Sequence, residues 1–173
     1  MAKKLLLIIV LSHWFSSYGQ SPTKELCTKV LNLIGADTTN PWMDSWDHHK
    51  AFHLCRTVEG LFIPYYMEST VREMHYDLDS LNHGDCKCTT LPPLKHPLLK
   101  SEADFIISFS CIKNGLMVVT IRMKEPSLPS RSGKSCYSCQ IMHGRIERGT
   151  DIIMLVKGND IIKYKLIPYI KND

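Results

Sequence analysis

Two hairpin patterns in the second half of the chain constrain its fold more than any other feature of the sequence. Strands are predicted at 104–112 and 116–123, and the residues KNG between them favour a tight turn. A second pair of strands is predicted at 152–156 and 161–166, on either side of the turn sequence KGND. Strands of this length and spacing predict a small all-β unit, either a sandwich or a barrel.

The chain before residue 86 has a helical pattern instead. Leu26, Val30, Leu31 and Ile34 recur at spacings of three and four residues, and Gly35 follows as a helix stop. The pattern predicts a first helix that ends at about this glycine.

Two further short helices are predicted in the same half. One begins at Asp47 and places Phe52, Cys55 and Val58 on roughly one face, and a proline ends it. The other covers about 66–78. The first half is therefore predicted to be a short helical region.

The N-terminal residues form the three parts of a secretory signal. Lys3 and Lys4 supply the positive start, an apolar run follows at 5–11, and Ser17 and Gly19 are small residues before the cut. We predict that 1–19 is a signal peptide and that the protein is secreted and extracellular. The apolar run is far shorter than the ~20 residues of a membrane helix, and no second run of that length follows, so no membrane span is predicted.

The cysteine count predicts a disulfide framework. All seven cysteines follow the signal: Cys27, Cys55, Cys86, Cys88, Cys111, Cys136 and Cys139. In a secreted chain most cysteines are paired, and a bridge between Cys27 and Cys55 would join two helices that are too small to bury a core unaided. Because seven is odd, one cysteine is left over. We expect it to be Cys111, which lies inside a predicted strand, and it either stays a thiol or links two chains into a disulfide-bonded dimer.

Charge divides the chain at the same place as the secondary-structure pattern. Residues 20–85 contain five Lys or Arg and ten Asp or Glu, a net charge of −5, whereas residues 86–173 contain fourteen and seven, a net charge of +7. The asymmetry indicates two functional units. The predicted organisation is a signal at 1–19, an acidic helical region at 20–85 and a basic β-unit at 86–173.

The β-unit begins with a recognisable order of residues. Cys86 and Cys88 form the sequence CKC, TTLPPLKHP follows as an extended arm with three prolines in nine residues, and ADFIISFS opens the first strand. Further on, Cys139, Gly149 and Gly158 stand around the strand sequence in CQIMHGRIERGTDIIMLVKG. In order and spacing these residues resemble the netrin-like module of the tissue inhibitors of metalloproteinases.

The resemblance implies an OB-like five-stranded β-barrel over residues 86–173, and hence an α+β fold with a helical N-terminal region. It also implies that disulfides fasten the arm to the barrel, with Cys86 paired to Cys139 and Cys88 paired to either Cys136 or Cys111. The chain departs from the family in several respects, among them its position, since Cys86 is internal, and the lack of a recognisable C-terminal helix after the last strand. The family's third N-terminal cysteine is missing, and no cysteine follows Cys139.

The same resemblance implies a secreted, non-enzymatic binding protein. Its partner would be an extracellular protein, such as a growth factor or a Wnt- or BMP-type ligand, or heparan sulfate, since many netrin-like modules bind heparin. A basic barrel face would attract a sulfated polysaccharide by charge and counterion release. The residues predicted to form this face are Lys113, Arg122, Lys124, Arg145, Arg148, Lys163 and Lys165. Nucleic acid is not expected as a partner outside the cell.

Two other functions stay open at this point. Metalloproteinase inhibition of the tissue-inhibitor type needs a free amino group on Cys86 as a zinc ligand, so it requires cleavage before that residue. Thiol–disulfide exchange would use Cys136 and Cys139, which have the Cys-x-x-Cys spacing but follow a loop rather than opening a helix. These alternatives rank below the binding protein.

No catalytic, metal or cofactor site is predicted. His49 and His53 have the i, i+4 spacing of helical metal ligands, but no third ligand accompanies them, and a solvated histidine-rich helix face is the favoured interpretation. The cysteines at 86, 88, 136 and 139 are assigned to disulfides rather than to zinc, because oxidation competes with metal binding outside the cell. The sequence also contains no glycine-rich phosphate loop.

Overall fold

A computed structural model describes residues 19–36, 51–74, 89–123 and 146–172 of the chain. These residues form helices packed on one β-sheet. In chain order the elements are α1 (Lys24–Ala36), β1 (Phe52–Leu54), α2 (Tyr65–Glu73), β2 (Phe105–Phe109), β3 (Leu116–Met123), β4 (Ile146–Lys157) and β5 (Asp160–Asn172).

The five strands form one mixed sheet in the order β1-β2-β3-β4-β5. β1 runs parallel to β2, and the other neighbouring strands are antiparallel. Among the described residues β1 and β5 lie at opposite edges and do not pair, so this sheet is open. The predicted α+β class is confirmed, whereas the closed OB-like barrel is not.

Both predicted hairpins are present, and their turns explain why. Lys113 and Leu116 exchange two backbone hydrogen bonds of 2.9 Å. Both residues between them have positive φ, 51° at Asn114 and 82° at Gly115, as a type I′ turn requires. The second hairpin turns at Gly158, where φ is 61°. Asparagine and glycine adopt these angles at little cost, so the turns are fixed locally by the sequence.

The strands of the second hairpin are longer than the predicted 152–156 and 161–166. Their ladder runs from the pair Lys157 and Asp160 to the pair Ile146 and Asn172, with one irregularity after Leu155. The added part of β4 has the sequence IERGTD, which is mostly polar, so hydrophobicity does not identify it as a strand. Backbone pairing with β5 holds it in the sheet.

The predicted second helix is wrong over the residues described. Phe52–Leu54 is strand β1, which pairs with β2 on one side. On its other side lies the proline-containing arm: the amide of Phe52 donates to the carbonyl of Leu98 at 2.6 Å, and the amide of Lys100 donates to the carbonyl of Phe52 at 3.0 Å. A three-residue strand is held here by two backbone neighbours rather than by its own propensity.

The predicted first helix is confirmed as α1, which covers one face of the sheet. Thr23 caps it, because its Oγ1 accepts a hydrogen bond from the amide of Leu26 at 3.2 Å. The helix continues through Gly35 to Ala36. Its buried side chains form the main core with the sheet; the core includes Leu26, Cys27, Val30, Leu31, Ile34, Ile107, Phe109, Val119, Ile121, Ile152 and Met154.

The third predicted helix is confirmed as α2 over Tyr65–Glu73, and residues 75–78 of that prediction lie outside the described residues. Met67 and Val71 pack against Leu116, Val118 and Ile153, on the sheet face opposite α1. The sheet is therefore sandwiched between two helices that both come from the first half of the chain. The predicted boundary between residues 85 and 86 falls outside the described residues.

The expected bridge between Cys27 and Cys55 is not formed, and both residues carry thiols. Cys27 lies on the inner face of α1, in the same core as Phe52. Cys55 follows β1 and is also buried, but it is not part of that core. The helix predicted for this segment placed the cysteine wrongly, and the bridge depended on that helix.

Cys111, which we expected to be the unpaired cysteine, is disulfide-bonded. Neither Cys27 nor Cys55 is its partner, since each carries a thiol. Cys86, Cys88, Cys136 and Cys139 lie outside the described residues.

Candidate functional site

A cavity of about 640 Å³ lies between α2, the segment that leads into it, and the sheet face opposite α1. Its polar floor consists of Ser108, Ser110, Thr120 and Asp151 on β2–β4 or beside them, together with Glu59. Aromatic and apolar side chains of both layers form its walls.

Strand register explains the polar floor. Ser108 pairs with Thr120, and Thr120 pairs with Asp151, so the three residues form a row across three adjacent strands. Their neighbours along each strand point to the other face, where Phe109 and Ile152 are part of the α1 core. The floor therefore consists of the polar residues that the alternation places away from that core.

Asp151 is held on the cavity floor by two side-chain hydrogen bonds. It is only 3% exposed. The hydroxyl of Thr120 donates to its Oδ1 at 2.6 Å, and the hydroxyl of Tyr66 donates to its Oδ2 at 2.6 Å. Burying a carboxylate without hydrogen-bond donors costs free energy, so these two hydroxyls stabilise Asp151 in its buried position. The Tyr66 bond also ties α2 to the sheet.

Glu59 enters the site from the segment between β1 and α2. Its backbone is fixed against β2, since its amide donates to the carbonyl of Phe109 at 2.9 Å. Burial raises the pKa of the Glu59 carboxyl above its ordinary value; Arg122 and a hydrogen bond from Ser108 act to lower it, and Asp151 adds to the rise. The pKa is raised because desolvation outweighs the attraction of the guanidinium.

The Oε1 atom of Glu59 is buried and has no hydrogen-bond partner among the described residues. Buried acceptors are nearly always satisfied, so this oxygen is an exception, and because it has almost no accessible surface an atom in the cavity does not reach it.

Aromatic residues form the walls and mouth. The rings of Tyr66 and Tyr169 are tilted by 35° with centroids 6.0 Å apart, and Phe62 stands 74% exposed at the rim. Tyr169 lies over Gly149, its partner on β4: a Cβ at Gly149 would be 2.5 Å from the Tyr169 hydroxyl and 2.7 Å from the carbonyl of Ile121. Only glycine leaves room for this ring.

Four of the seven residues predicted to form a basic face have described side chains, and the structure places these four in different surroundings. Lys113 is only 5% exposed, beside the β2–β3 turn, and Arg122 lies near Glu59. Lys163 and Lys165 are exposed on β5, and Lys165 forms an ion pair with Glu73. The side chains of Lys124, Arg145 and Arg148 lie outside the described residues.

The other predicted sites have limited counterparts in the described residues. His53 lies on β1 rather than on a helix, and its Nδ1 is 3.2 Å from the carbonyl oxygen of Ser101; His49 lies outside the described residues. No cluster of potential metal-ligating side chains occurs in the described ranges. No described helix is long and apolar enough to cross a membrane.

The sequence reasoning missed the cavity. One signal was available. Ser108, Thr120 and Asp151 are polar residues at inward-facing positions of otherwise apolar strands. A polar side chain at such a position is expected either to form a hydrogen bond or to line a site. Glu59 and Tyr169 gave no such signal, because nothing local shows that they meet.

Comparison with known proteins gives no relative from which a function can be transferred. No protein-family description, curated protein or solved structure matches the chain.

Proposed function

We propose that the protein is a secreted, non-enzymatic binding protein and that it holds a small amphiphilic organic molecule in the cavity between α2 and the sheet. The observation that carries the proposal is the cavity itself, about 640 Å³ with a polar floor and aromatic walls. Small-molecule sites are typically of roughly 300–1,000 Å³, mostly apolar, with a few convergent polar groups. The N-terminal residues have the pattern of a secretory signal, which supports an extracellular location for the protein.

The polar groups of the site favour binding over catalysis. Among the described residues that line the cavity there is no His, Lys or Cys to activate a hydroxyl. The Ser110 hydroxyl is already engaged in structural hydrogen bonds, since its Oγ accepts from the amide of Val118 and donates to the carbonyl of Cys111, both at 2.9 Å. Both oxygens of Asp151 already accept hydroxyl hydrogen bonds. These groups are suited to hold a ligand in place.

The proposal is tested by filling the cavity. Gly60 lines it, and a Cβ at this position meets no atom within 4 Å, so Gly60→Trp adds an indole beside the cavity without a clash at the backbone. Ile162→Trp is the matched control, because Ile162 is exposed on β5 and is not part of the cavity.

The measurement is a ligand-observed NMR screen of small amphiphilic fragments against both variants and the wild type. We expect saturation-transfer signals with the wild type and with Ile162→Trp, and their loss with Gly60→Trp. The proposal fails if no fragment binds the wild type, or if the bound fragments are retained by Gly60→Trp.

The netrin-like resemblance supports a second proposal, that residues 86–173 form a netrin-like module that also engages an extracellular protein or heparan sulfate. Its support is the arm, which lies extended along the segment after β1: the amide of Val58 donates to the carbonyl of Thr89 at 2.8 Å, and the amide of Leu91 donates to the carbonyl of Arg56 at 2.7 Å. Salt-dependent retention on heparin tests the polysaccharide part. Elution at the same salt as from a plain cation exchanger would contradict it, because such retention reflects net charge alone.

A further inference from the structure

The side-chain hydroxyls around Asp151 offer a ligand acceptors rather than donors. A hydroxyl has a single proton, and once that proton is given to a neighbour the oxygen can only accept from a ligand. The hydroxyl of Thr120 donates to Oδ1 of Asp151 and the hydroxyl of Tyr66 donates to Oδ2, both at 2.6 Å. Turning either proton toward a ligand would leave a buried carboxyl oxygen without its donor, which is costly.

The two serines of the floor have also used their protons. Ser110 donates to the carbonyl of Cys111 at 2.9 Å, and Ser108 donates to the carboxyl group of Glu59. Both serines are buried, whereas Thr120 is partly exposed and Tyr66 is 46% exposed. The accessible polar part of the site is therefore the pair of hydroxyl oxygens that flank Asp151.

The charged groups of the site disfavour an anion. Glu59 and Asp151 line the cavity, and no basic side chain is among its described lining residues. Arg122 opposes the charge of Glu59, and two hydroxyl donors stabilise the charge of Asp151, so neither carboxyl group depends on a ligand cation. A carboxylate or phosphate would be repelled, whereas a neutral donor enters without the cost of desolvating a charge.

The walls fit a flat aromatic body. The ring centroids of Tyr66 and Tyr169 are 6.0 Å apart, and Phe62 stands at the rim. Aromatic rings pack against one another in tilted or offset arrangements with centroids roughly 4.5–7 Å apart. A ligand ring can join this cluster, and a hydroxyl on that ring supplies the donor that the floor requires.

We propose that the ligand is a neutral phenol, which donates its hydroxyl proton to the side-chain oxygen of Thr120 or Tyr66 while its ring packs against Tyr66 and Tyr169. The inference rests on the proposed function, because it assigns a ligand class to the same cavity. A phenol is favoured over an aliphatic alcohol because the ring draws on the oxygen lone pair, which makes the hydroxyl a stronger donor and a weaker acceptor. It also stays neutral at neutral pH, since phenols ionise near pH ~10.

Two isomers and one anion test the ligand class. Para-ethylphenol can donate a hydrogen bond, its isomer para-methylanisole can only accept one, and the para-ethylbenzoate anion carries a negative charge. In ligand-observed NMR titrations at neutral pH we expect para-ethylphenol to bind about fivefold or more tighter than para-methylanisole, the gain of one net hydrogen bond, and the anion not to bind. Equal affinity for the two isomers would overturn the inference, and so would binding of the anion.

One isosteric variant changes the polarity of the floor. In Asp151→Asn an acceptor oxygen becomes an amide donor that needs a hydroxyl oxygen as its acceptor, so Thr120 or Tyr66 regains a proton for a ligand. The preference for para-ethylphenol over para-methylanisole should then be lost. Asp160→Asn is the matched control, because Asp160 is exposed, pairs with Lys29 and does not line the cavity, and it should leave the preference unchanged. A preference that persists in Asp151→Asn would overturn the inference. If circular dichroism shows that this variant does not fold, the ligand series with the wild type decides.

The experiment separates failure of the phenol from failure of the cavity. If the two isomers bind equally and Gly60→Trp abolishes both, the cavity is a binding site but its ligand is not selected by hydrogen-bond polarity. If neither isomer binds while other fragments are lost in Gly60→Trp, the phenol inference is likewise overturned and the proposed function stands. If nothing binds the wild type, both fail.

Discussion

The hydrogen bond between Tyr66 and Asp151 gives a stability prediction that the structure makes quantitative. The phenolic hydroxyl is 2.6 Å from Oδ2 of a carboxyl that is 3% exposed, and it joins α2 to β4. Tyr66→Phe removes the donor and leaves the ring in place. A hydrogen bond to a charged group contributes about 1.5–3 kcal/mol, and Asp151 keeps its bond from Thr120, so we expect a loss of about 2 kcal/mol in the free energy of unfolding.

Tyr65→Phe is the matched control. The two tyrosines are adjacent, but Tyr65 is 88% exposed, and we expect its variant to stay within about 0.5 kcal/mol of the wild type. Urea unfolding followed by circular dichroism, without reductant because Cys111 is disulfide-bonded, measures all three proteins. The reasoning is refuted if Tyr66→Phe is no less stable than Tyr65→Phe.

A double-mutant cycle attributes the loss to the pair rather than to the tyrosine alone. In an Asp151→Asn background the effect of Tyr66→Phe should fall to less than half, because the acceptor no longer carries a charge. An unchanged effect would mean that the hydroxyl stabilises the protein through another contact.

Three further predictions concern other parts of the fold. Gly149→Ala should lower the free energy of unfolding by about 1–3 kcal/mol, because its Cβ would collide with Tyr169 and with a β3 carbonyl. Gly60→Ala is the control, since a Cβ there meets open space, and it should cost under about 0.5 kcal/mol. Equal urea midpoints for the two variants would contradict this. Because the pKa of Glu59 is raised in the folded state, the free energy of unfolding should fall as pH rises from the ordinary carboxyl pKa through the raised one. Glu59→Gln should abolish this fall. Parallel pH profiles of the variant and the wild type would disprove the prediction. Burial raises the pKa of the Cys27 thiol to about 12. Iodoacetamide at pH ~8 should therefore label this thiol far more slowly in the native protein than in urea. Equal labelling rates, measured by peptide mass spectrometry, would refute this.

The cavity was beyond sequence reasoning for a physical reason. Glu59, Tyr66, Thr120, Asp151 and Tyr169 come from segments that are distant in the chain and meet only through strand register and the docking of α2. No local propensity encodes such a meeting. The predicted basic face shows a related limit: a list of lysines and arginines does not specify how exposed each side chain is, and Lys113 is buried.

The elements that the sequence determined by itself are those governed by nearest neighbours. The α1 helix follows from apolar spacing and a threonine cap, and the β2–β3 turn follows from Asn114 and Gly115, which tolerate positive φ. Tertiary structure alone decided the identity of Phe52–Leu54, whose apolar spacing suited a helix as well as a strand. Partners on both sides, β2 and the arm, supply the backbone hydrogen bonds that make it a strand. The free energy of that choice lies in contacts between segments far apart in the chain, so no stretch of sequence read alone contains it.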